Sequence, residues 1–296
     1  MKIDRGLTGV FGLTLAMLVS SVALAGQPPA PPEGWTDSYA MVNGIRMHYW
    51  RTGGDKPVLI LSHGGSDDGL CWTNLAKELA DDYDIIMPDA RAHGLSDPMS
   101  KTDPPDVQAE DLAALIRELN IEKPIVMGHS MGASASAWFA AKYPDVPRAV
   151  VLEDPRLLPR TGGDEEPSVE EAMARILKRN QTSYDDLVAG CNPKWGLEEC
   201  RIWAPSKRRY HPSNAYRRRG ERPATSELLA KISVPTLIIK ADADAETREK
   251  EKEVASILAH GEIVHIDGAG HNVRREQKQA LLDALKAFLA KLVGPA

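Results

Sequence analysis

The order of apolar runs along the chain predicts an α/β domain on a mostly parallel sheet flanked by helices, with a helical insertion late in the sequence. Three observations carry that expectation. Short strand-like runs alternate with helical segments, the residues with chemical potential follow the ends of those runs, and one such junction is Gly128-His129-Ser130-Met131-Gly132. At 296 residues the chain is long enough for one large domain with a sizeable core.

The first 25 residues read as an export signal: Lys2 and Arg5 are basic, Leu7 to Val22 is mostly apolar, and Ala23-Leu24-Ala25 is a cleavage site of the A-x-A kind. Residues 26–36 contain Pro28, Pro29, Pro31 and Pro32 and read as a stiff leader. Strands Ser38–Val42 and Ile45–Arg51 meet at Asn43-Gly44, a strong hairpin signal that supplies an antiparallel edge. Further strands are expected at Val58–Leu61, Ile85–Met87, Ile125–Met127, Ala149–Leu152, Pro235–Lys240 and Glu262–Ile266. Helices are expected near residues 72–80, 106–119, 131–143, 246–259 and 273–292. Between Pro155 and Ile232 the alternation stops for longer than an ordinary loop, and helical stretches such as Val169–Arg179 carry it. Residues 155–232 are therefore read as a cap, with 37–154 and 233–296 as the core, and Trp195, Trp203, Tyr210 and Tyr216 as aromatics available for packing or for a pocket wall.

The chain carries 36 Lys and Arg against 42 Asp and Glu, a net charge of −6, which argues against a nucleic-acid partner. The charge is uneven. Lys194, Arg201, Lys207, Arg208, Arg209, Arg217, Arg218, Arg219, Arg222 and Lys231 gather in one stretch, which reads first as a solvated helical face. Its other readings are a basic rim favouring anionic substrates and a contact with an anionic membrane surface. Of three cysteines, Cys191 and Cys200 bracket a short loop that an oxidising compartment would close, and Cys71 is left as a buried small hydrophobe. The histidines His63, His93 and His129 lie in loops without a metal-ligand frame, so neither a metal nor another cofactor is expected. Nothing in the sequence fixes the oligomeric state.

Chemistry concentrates at Ser130. A G-x-S-x-G between a strand and a helix forces so sharp a turn that side chains two residues either side would collide, and it leaves the serine exposed in a strained conformation. A serine hydroxyl needs a general base oriented by a carboxylate, both expected downstream in the order serine, acid, histidine. The run Asp267-Gly268-Ala269-Gly270-His271 offers the base, and the loop Ala241-Asp242-Ala243-Asp244 offers acids.

On these residues the chain resembles the α/β-hydrolase superfamily over nearly all of its length apart from the insertion. The resemblance implies Ser130 as nucleophile, His271 as base and, by motif register, Asp244 as acid. Asp242 competes because Ala241 replaces the glycine usual in that loop, and Asp154 competes because some relatives place the acid after the preceding strand. His63-Gly64-Gly65-Ser66 is similar to the family's oxyanion loop, implying the amides of Gly65 and Met131 as donors, with Ser66 an alternative to Gly65. Asp89-Ala90-Arg91-Ala92-His93-Gly94-Leu95-Ser96 is similar to a family loop that supports the nucleophile. The implied activity is hydrolysis of a small carboxylic ester or lactone through an acyl-serine. Perhydrolysis, carbon–carbon or amide cleavage, and ligand binding without turnover are alternatives on the same scaffold. Epoxide and haloalkane hydrolysis are disfavoured, since similar proteins with those activities carry aspartate where Ser130 stands.

Overall fold

A computed structural model describes residues 27–159, 167–218 and 221–293, so the expected export signal over residues 1–25 lies outside the described residues. Eight strands form one sheet: β1 (Thr36–Val42), β2 (Ile45–Arg51), β3 (Val58–Ser62), β4 (Asp84–Pro88), β5 (Ile125–His129), β6 (Ala149–Glu153), β7 (Thr236–Lys240) and β8 (Gly261–His265). Their order is β1-β2-β4-β3-β5-β6-β7-β8, parallel from β4 to β8, with β1 and β2 antiparallel. The hairpin turns at Asn43 and Gly44, both at positive φ (44° and 77°), the backbone that matches the twist of the flanking strands. β1 starts at Thr36, ahead of the expected Ser38 and at the end of the segment read as leader.

The helices are α1 (Thr73–Ala76), α2 (Val107–Glu118), α3 (Met131–Lys142), α4 (Val169–Asn180), α5 (Tyr184–Ala189), α6 (Gly196–Arg208), α7 (Thr225–Leu229), α8 (Ala245–Ala255), α9 (Val273–Glu276) and α10 (Lys278–Val293). Two expectations needed correction. The helix near 72–80 is a 3-10 turn at Gly69–Trp72 followed by the single turn of α1, and the helix over 273–292 is broken at Gln277, whose backbone (φ −138°, ψ 56°) leaves the helical region. The break lets α9 aim its own side chains under the sheet's end while α10 packs along its face.

Alternation along each central strand explains the two-sided core. Leu59, Leu61, Ile125, Met127, Val151, Leu237 and Ile239 face one layer with Trp72, Leu285 and Phe288. Their neighbours Ile60, Ile86 and Val126 face a second cluster with Leu112, Leu115 and Phe139, and Val150, Leu152 and Ile238 join Ala133, Ala137 and Ala140 of α3 in a third. Each such aliphatic side chain contributes roughly 1.5–3 kcal/mol by leaving water, so the strands, not the loops, fix where the loop residues sit. The stretch between β6 and β7 carries α4 to α7 and a small cluster of its own around Tyr184, Leu187, Trp203 and the Cys191–Cys200 disulfide.

Candidate active site

The strand ends β3, β5, β6 and β7 open onto one cavity of about 890 Å³, near the upper end for a small-molecule pocket. Ser130 sits at its floor, between β5 and α3, with φ 50° and ψ −104°. That conformation is strained for a residue with a side chain, and the surroundings hold it: the Ser130 amide donates to the Glu153 carbonyl at 2.9 Å. A methyl group on Gly128 would strike the Gly132 carbonyl, and one on Gly132 would strike the Ser62 carbonyl, so both positions exclude any side chain.

His271 Nε2 lies 2.9 Å from Ser130 Oγ, and His271 Nδ1 lies 2.6 Å from Asp154 Oδ2. The acid beside His271 is therefore Asp154, which corrects the register-based choice of Asp244. Asp244 is the N-cap of α8, exposed, and its carboxylate accepts from the Thr247 amide (2.8 Å) and hydroxyl (3.0 Å). Asp242 is held by Arg248 and by the Gly268 amide (2.8 Å). The helix start captures Asp244, and Arg248 with the Gly268 amide captures Asp242, while Asp154 follows β6, next to β7, where Lys240 meets it.

Burial by itself would raise the Asp154 carboxyl, but the hydrogen bond from His271 and the Lys240 ammonium outweigh burial and hold it at about 2. Lys240 Nζ lies 2.7 Å from Asp154 Oδ1, and the Ala241 amide donates to the same oxygen at 3.2 Å. An ionised carboxylate only accepts, so Nδ1 of His271 carries the proton and Nε2 is free to accept from the Ser130 hydroxyl. The His271 side chain is 54% exposed, open to the cavity rather than sealed in the core.

His129, whose part the motif alone did not reveal, is buried and donates from Nε2 to the His271 carbonyl at 2.9 Å. Burial lowers its pKa well below the ordinary histidine value, so it stays neutral and anchors the backbone of His271. Gly64 leaves it room: a methyl there would collide with His129 Nδ1.

The loop His63-Gly64-Gly65-Ser66 is positioned by neutral imidazoles and by a buried charge cluster. His63 donates from Nδ1 to the Gly64 carbonyl (2.8 Å) and accepts from the Ala90 amide (2.9 Å). The Ser66 amide is turned to His93 Nε2 at 3.3 Å, away from the role that would rival Gly65. Gly65 and Met131 line the cavity beside Ser130. Asp67 accepts from Lys207 of α6 (2.5 Å) and from Arg274 (3.2 Å) and Arg275 (3.0 Å) of α9. Burial would raise the Asp67 carboxyl, yet these three cations hold it well below the usual range. Lys207 Nζ also donates to the Ser66 carbonyl at 2.6 Å, so a helix from the stretch between β6 and β7 grips the loop directly.

Lys207 thus lies buried, which corrects the reading of the basic stretch as one solvated face. Arg201, Arg208 and Arg222 are exposed, and Arg217 and Arg222 line the cavity. The Asp89 loop is architectural in its contacts: Asp89 accepts from the Gly69 (2.7 Å) and Leu95 (2.8 Å) amides and meets His48 Nδ1 at 2.9 Å, while Arg91 pairs with Asp111 at 2.6 Å.

A family model described as the alpha/beta hydrolase family matches residues 58–284. The chain is 28% identical over 261 residues to 2-(acetamidomethylene)succinate hydrolase of Mesorhizobium japonicum, covering 81% of this chain and 90% of that one. It is 25% identical over 299 residues to epoxide hydrolase 1 of Caenorhabditis elegans, covering 90% and 73%. Among solved structures it is similar to a thermophilic esterase from Thermogutta terrifontis with malate bound, at 25% identity and a TM-score of 0.65, covering 87% of this chain and 99% of that one.

Proposed function

Because the chain belongs to the alpha/beta hydrolase family, we propose that it hydrolyses a carboxylic ester or lactone through an acyl-serine intermediate. The observation that carries this reading is the continuous hydrogen-bond line from Asp154 through His271 to the strained Ser130. In this mechanism His271 Nε2 takes the Ser130 proton as Oγ bonds to the substrate carbonyl carbon. The carbonyl oxygen becomes an oxyanion facing the amides of Gly65 and Met131, where each donor is worth about 3–4 kcal/mol of barrier. His271 then returns that proton to the leaving alcohol oxygen as the carbon–oxygen bond breaks. Water, losing a proton to His271, attacks the acyl carbon and releases the acid, and Ser130 recovers its hydrogen. Asp154 keeps the tautomer and stabilises the imidazolium at each stage.

A serine where an aspartate would form an alkyl-enzyme favours acyl transfer over epoxide opening, despite the likeness to an epoxide hydrolase. Residues 155–232 act in this reading as a cap that supplies the pocket's far wall. The Cys191–Cys200 disulfide supports an oxidising compartment such as the periplasm or exterior. The test is turnover of p-nitrophenyl esters, lactones and amides by the protein and by Ser130→Ala, with fluorophosphonate labelling. Loss of turnover by at least about a thousandfold and loss of labelling are expected in the variant; retained ester turnover would refute the mechanism.

A further inference from the structure

Asp154 holds more than His271. Its backbone stands at φ 43°, strained for a residue with a side chain, and the end of β7 keeps it there. The Asp154 amide donates to the Ile239 carbonyl at 2.7 Å, and Lys240 Nζ donates to the Pro155 carbonyl at 2.8 Å. The same ammonium meets Asp154 Oδ1 at 2.7 Å, while Oδ2 takes His271. One carboxylate therefore stands between two cations whenever His271 is protonated.

Lys240 is shared in turn. Glu251 of α8 reaches it with Oε1 at 3.0 Å and meets His265 Nε2 with Oε2 at 2.8 Å. His265 lies opposite Lys240 in the parallel register of β7 and β8, so strand pairing and α8 bring the three together. All three side chains are buried. Apolar side chains of similar size would hold a helix on a sheet at a lower desolvation cost, so packing alone does not account for a buried lysine between two carboxylates. The other charged groups nearby have partners of their own or stand farther along the wall. Arg274, beside His129, is taken by Glu153 (3.1 Å) and Asp67 (3.2 Å); Glu249, near His265, pairs with Lys252 (2.7 Å); and Arg156 lies on the cavity wall. His129, whose ring is 4.9 Å from that of His271, is neutral.

We infer that Lys240 is a positioning residue that fixes Asp154 and, together with Glu251, sets the pH below which His271 stops acting as the base. This deepens the acyl-serine reading and rests on it. When His271 takes the Ser130 proton, the imidazolium is stabilised by Asp154, and the Lys240 ammonium on the other carboxylate oxygen cancels part of that attraction. Glu251 opposes Lys240 from its far side. The signs follow. Without the ammonium, the Asp154 charge acts on His271 undiminished, the imidazolium forms more readily, and activity is lost at a higher pH. Without the Glu251 charge, Lys240 acts on Asp154 alone and activity persists to a lower pH.

The experiment is the pH dependence of kcat/KM on p-nitrophenyl butyrate, whose acid limb reports protonation of the base in the free enzyme. Wild type is compared with Lys240→Met, Glu251→Gln and the double variant. The limb is expected to move up by about one pH unit in Lys240→Met and down by about half a pH unit in Glu251→Gln. The double variant removes both charges, and since Lys240 is the one in contact with Asp154, its limb is expected between wild type and Lys240→Met. It stands in for Lys240→Met should that chain fail to fold with Glu251 left to His265 alone. A merely structural role would lower kcat/KM at every pH and leave the limb in place. A limb that stays at the wild-type pH in either direction of the comparison, or that moves the same way on loss of Lys240 and on loss of Glu251, overturns the inference. Ser130→Ala separates the two levels. Turnover that Ser130→Ala abolishes, with limbs that do not move, removes the role of Lys240 and leaves the acyl-serine reading standing, whereas turnover that survives Ser130→Ala removes both.

Discussion

Replacing Asp154 by asparagine changes one atom and should stop the enzyme for a reason visible in the geometry. Two donors, Lys240 Nζ at 2.7 Å and the Ala241 amide at 3.2 Å, face Oδ1, while His271 Nδ1 faces Oδ2 at 2.6 Å. The asparagine carbonyl must turn to the two donors, because an NH2 group there would meet a lysine ammonium. The NH2 group then faces His271 and donates to Nδ1, driving the imidazole proton to Nε2. In that tautomer Nε2 points a hydrogen at Ser130 Oγ and cannot take its proton. Loss of the correct tautomer in a serine triad costs on the order of 10³–10⁴ in kcat, or about 4–5 kcal/mol of barrier, with KM little changed. Asp244→Asn should stay within about twofold of wild type, since asparagine caps a helix as well as aspartate does. Initial rates on a p-nitrophenyl ester, with circular dichroism as the fold control, decide the matter. If Asp154→Asn keeps more than about a tenth of the activity, or Asp244→Asn is the more damaging, the tautomer reasoning is refuted.

The same carboxylate makes stability depend on pH. Its folded value of about 2 lies below the ordinary 3.8, so its contribution, about 2 kcal/mol, is fully present above pH 4 and disappears as the pH falls through 2. Urea unfolding of wild type and Asp154→Asn should therefore differ by a constant amount above pH 4 and converge towards pH 2; a gap that widens on acidification would contradict the sign. Opening the Cys191–Cys200 bridge, which closes a loop of sequence separation 9, should lower stability by roughly 2–3 kcal/mol. Thiol alkylation of the unreduced protein should find Cys71 alone after denaturation, and labelling of all three cysteines would show the bridge absent in solution.

What could be read in advance was what neighbouring residues specify among themselves. Asn43-Gly44 fixes its hairpin through two positive φ angles, and Gly128 fixes the elbow through a clash with Gly132 within five residues of chain, whereas Gly132 is held to glycine by Ser62 of the neighbouring strand. The alternation of core strands is equally local. The partner of His271 is not, because it depends on which of three loop carboxylates escapes capture. Asp244 stands three residues before Thr247 at a helix start, a capping pattern readable in the sequence, and recognising it would have removed Asp244 from contention. Nothing local announces that Lys240, at the end of β7, would lock Asp154 at the end of β6; that follows from strand order. The contacts of Asp67 with Lys207 and Arg275 span 140 and 208 residues, beyond any motif, and so a lysine assigned to a solvated face turned out to grip the loop at Ser66.

That grip bears on how such an enzyme can be altered by recombination. The helix α6 supplies Lys207 to the Ser66 carbonyl and Glu199 to Arg275 (2.6 Å), and Trp195 and Trp203 lie against Arg275 and Lys207 at 4.7 and 4.8 Å. A cassette carrying residues 155–232 from another protein would take Lys207 from Asp67 and Glu199 from Arg275, leaving each of these buried charges short of one partner, a defect costing up to several kcal/mol. A transplanted lid would therefore have to bring its lysine and glutamate with it, or come with positions 67 and 275 from the same donor. The heritable unit is thus a set of six charges, Asp67, Glu153, Glu199, Lys207, Arg274 and Arg275, scattered along the chain, and a crossover placed at the lid's edges would cut through it.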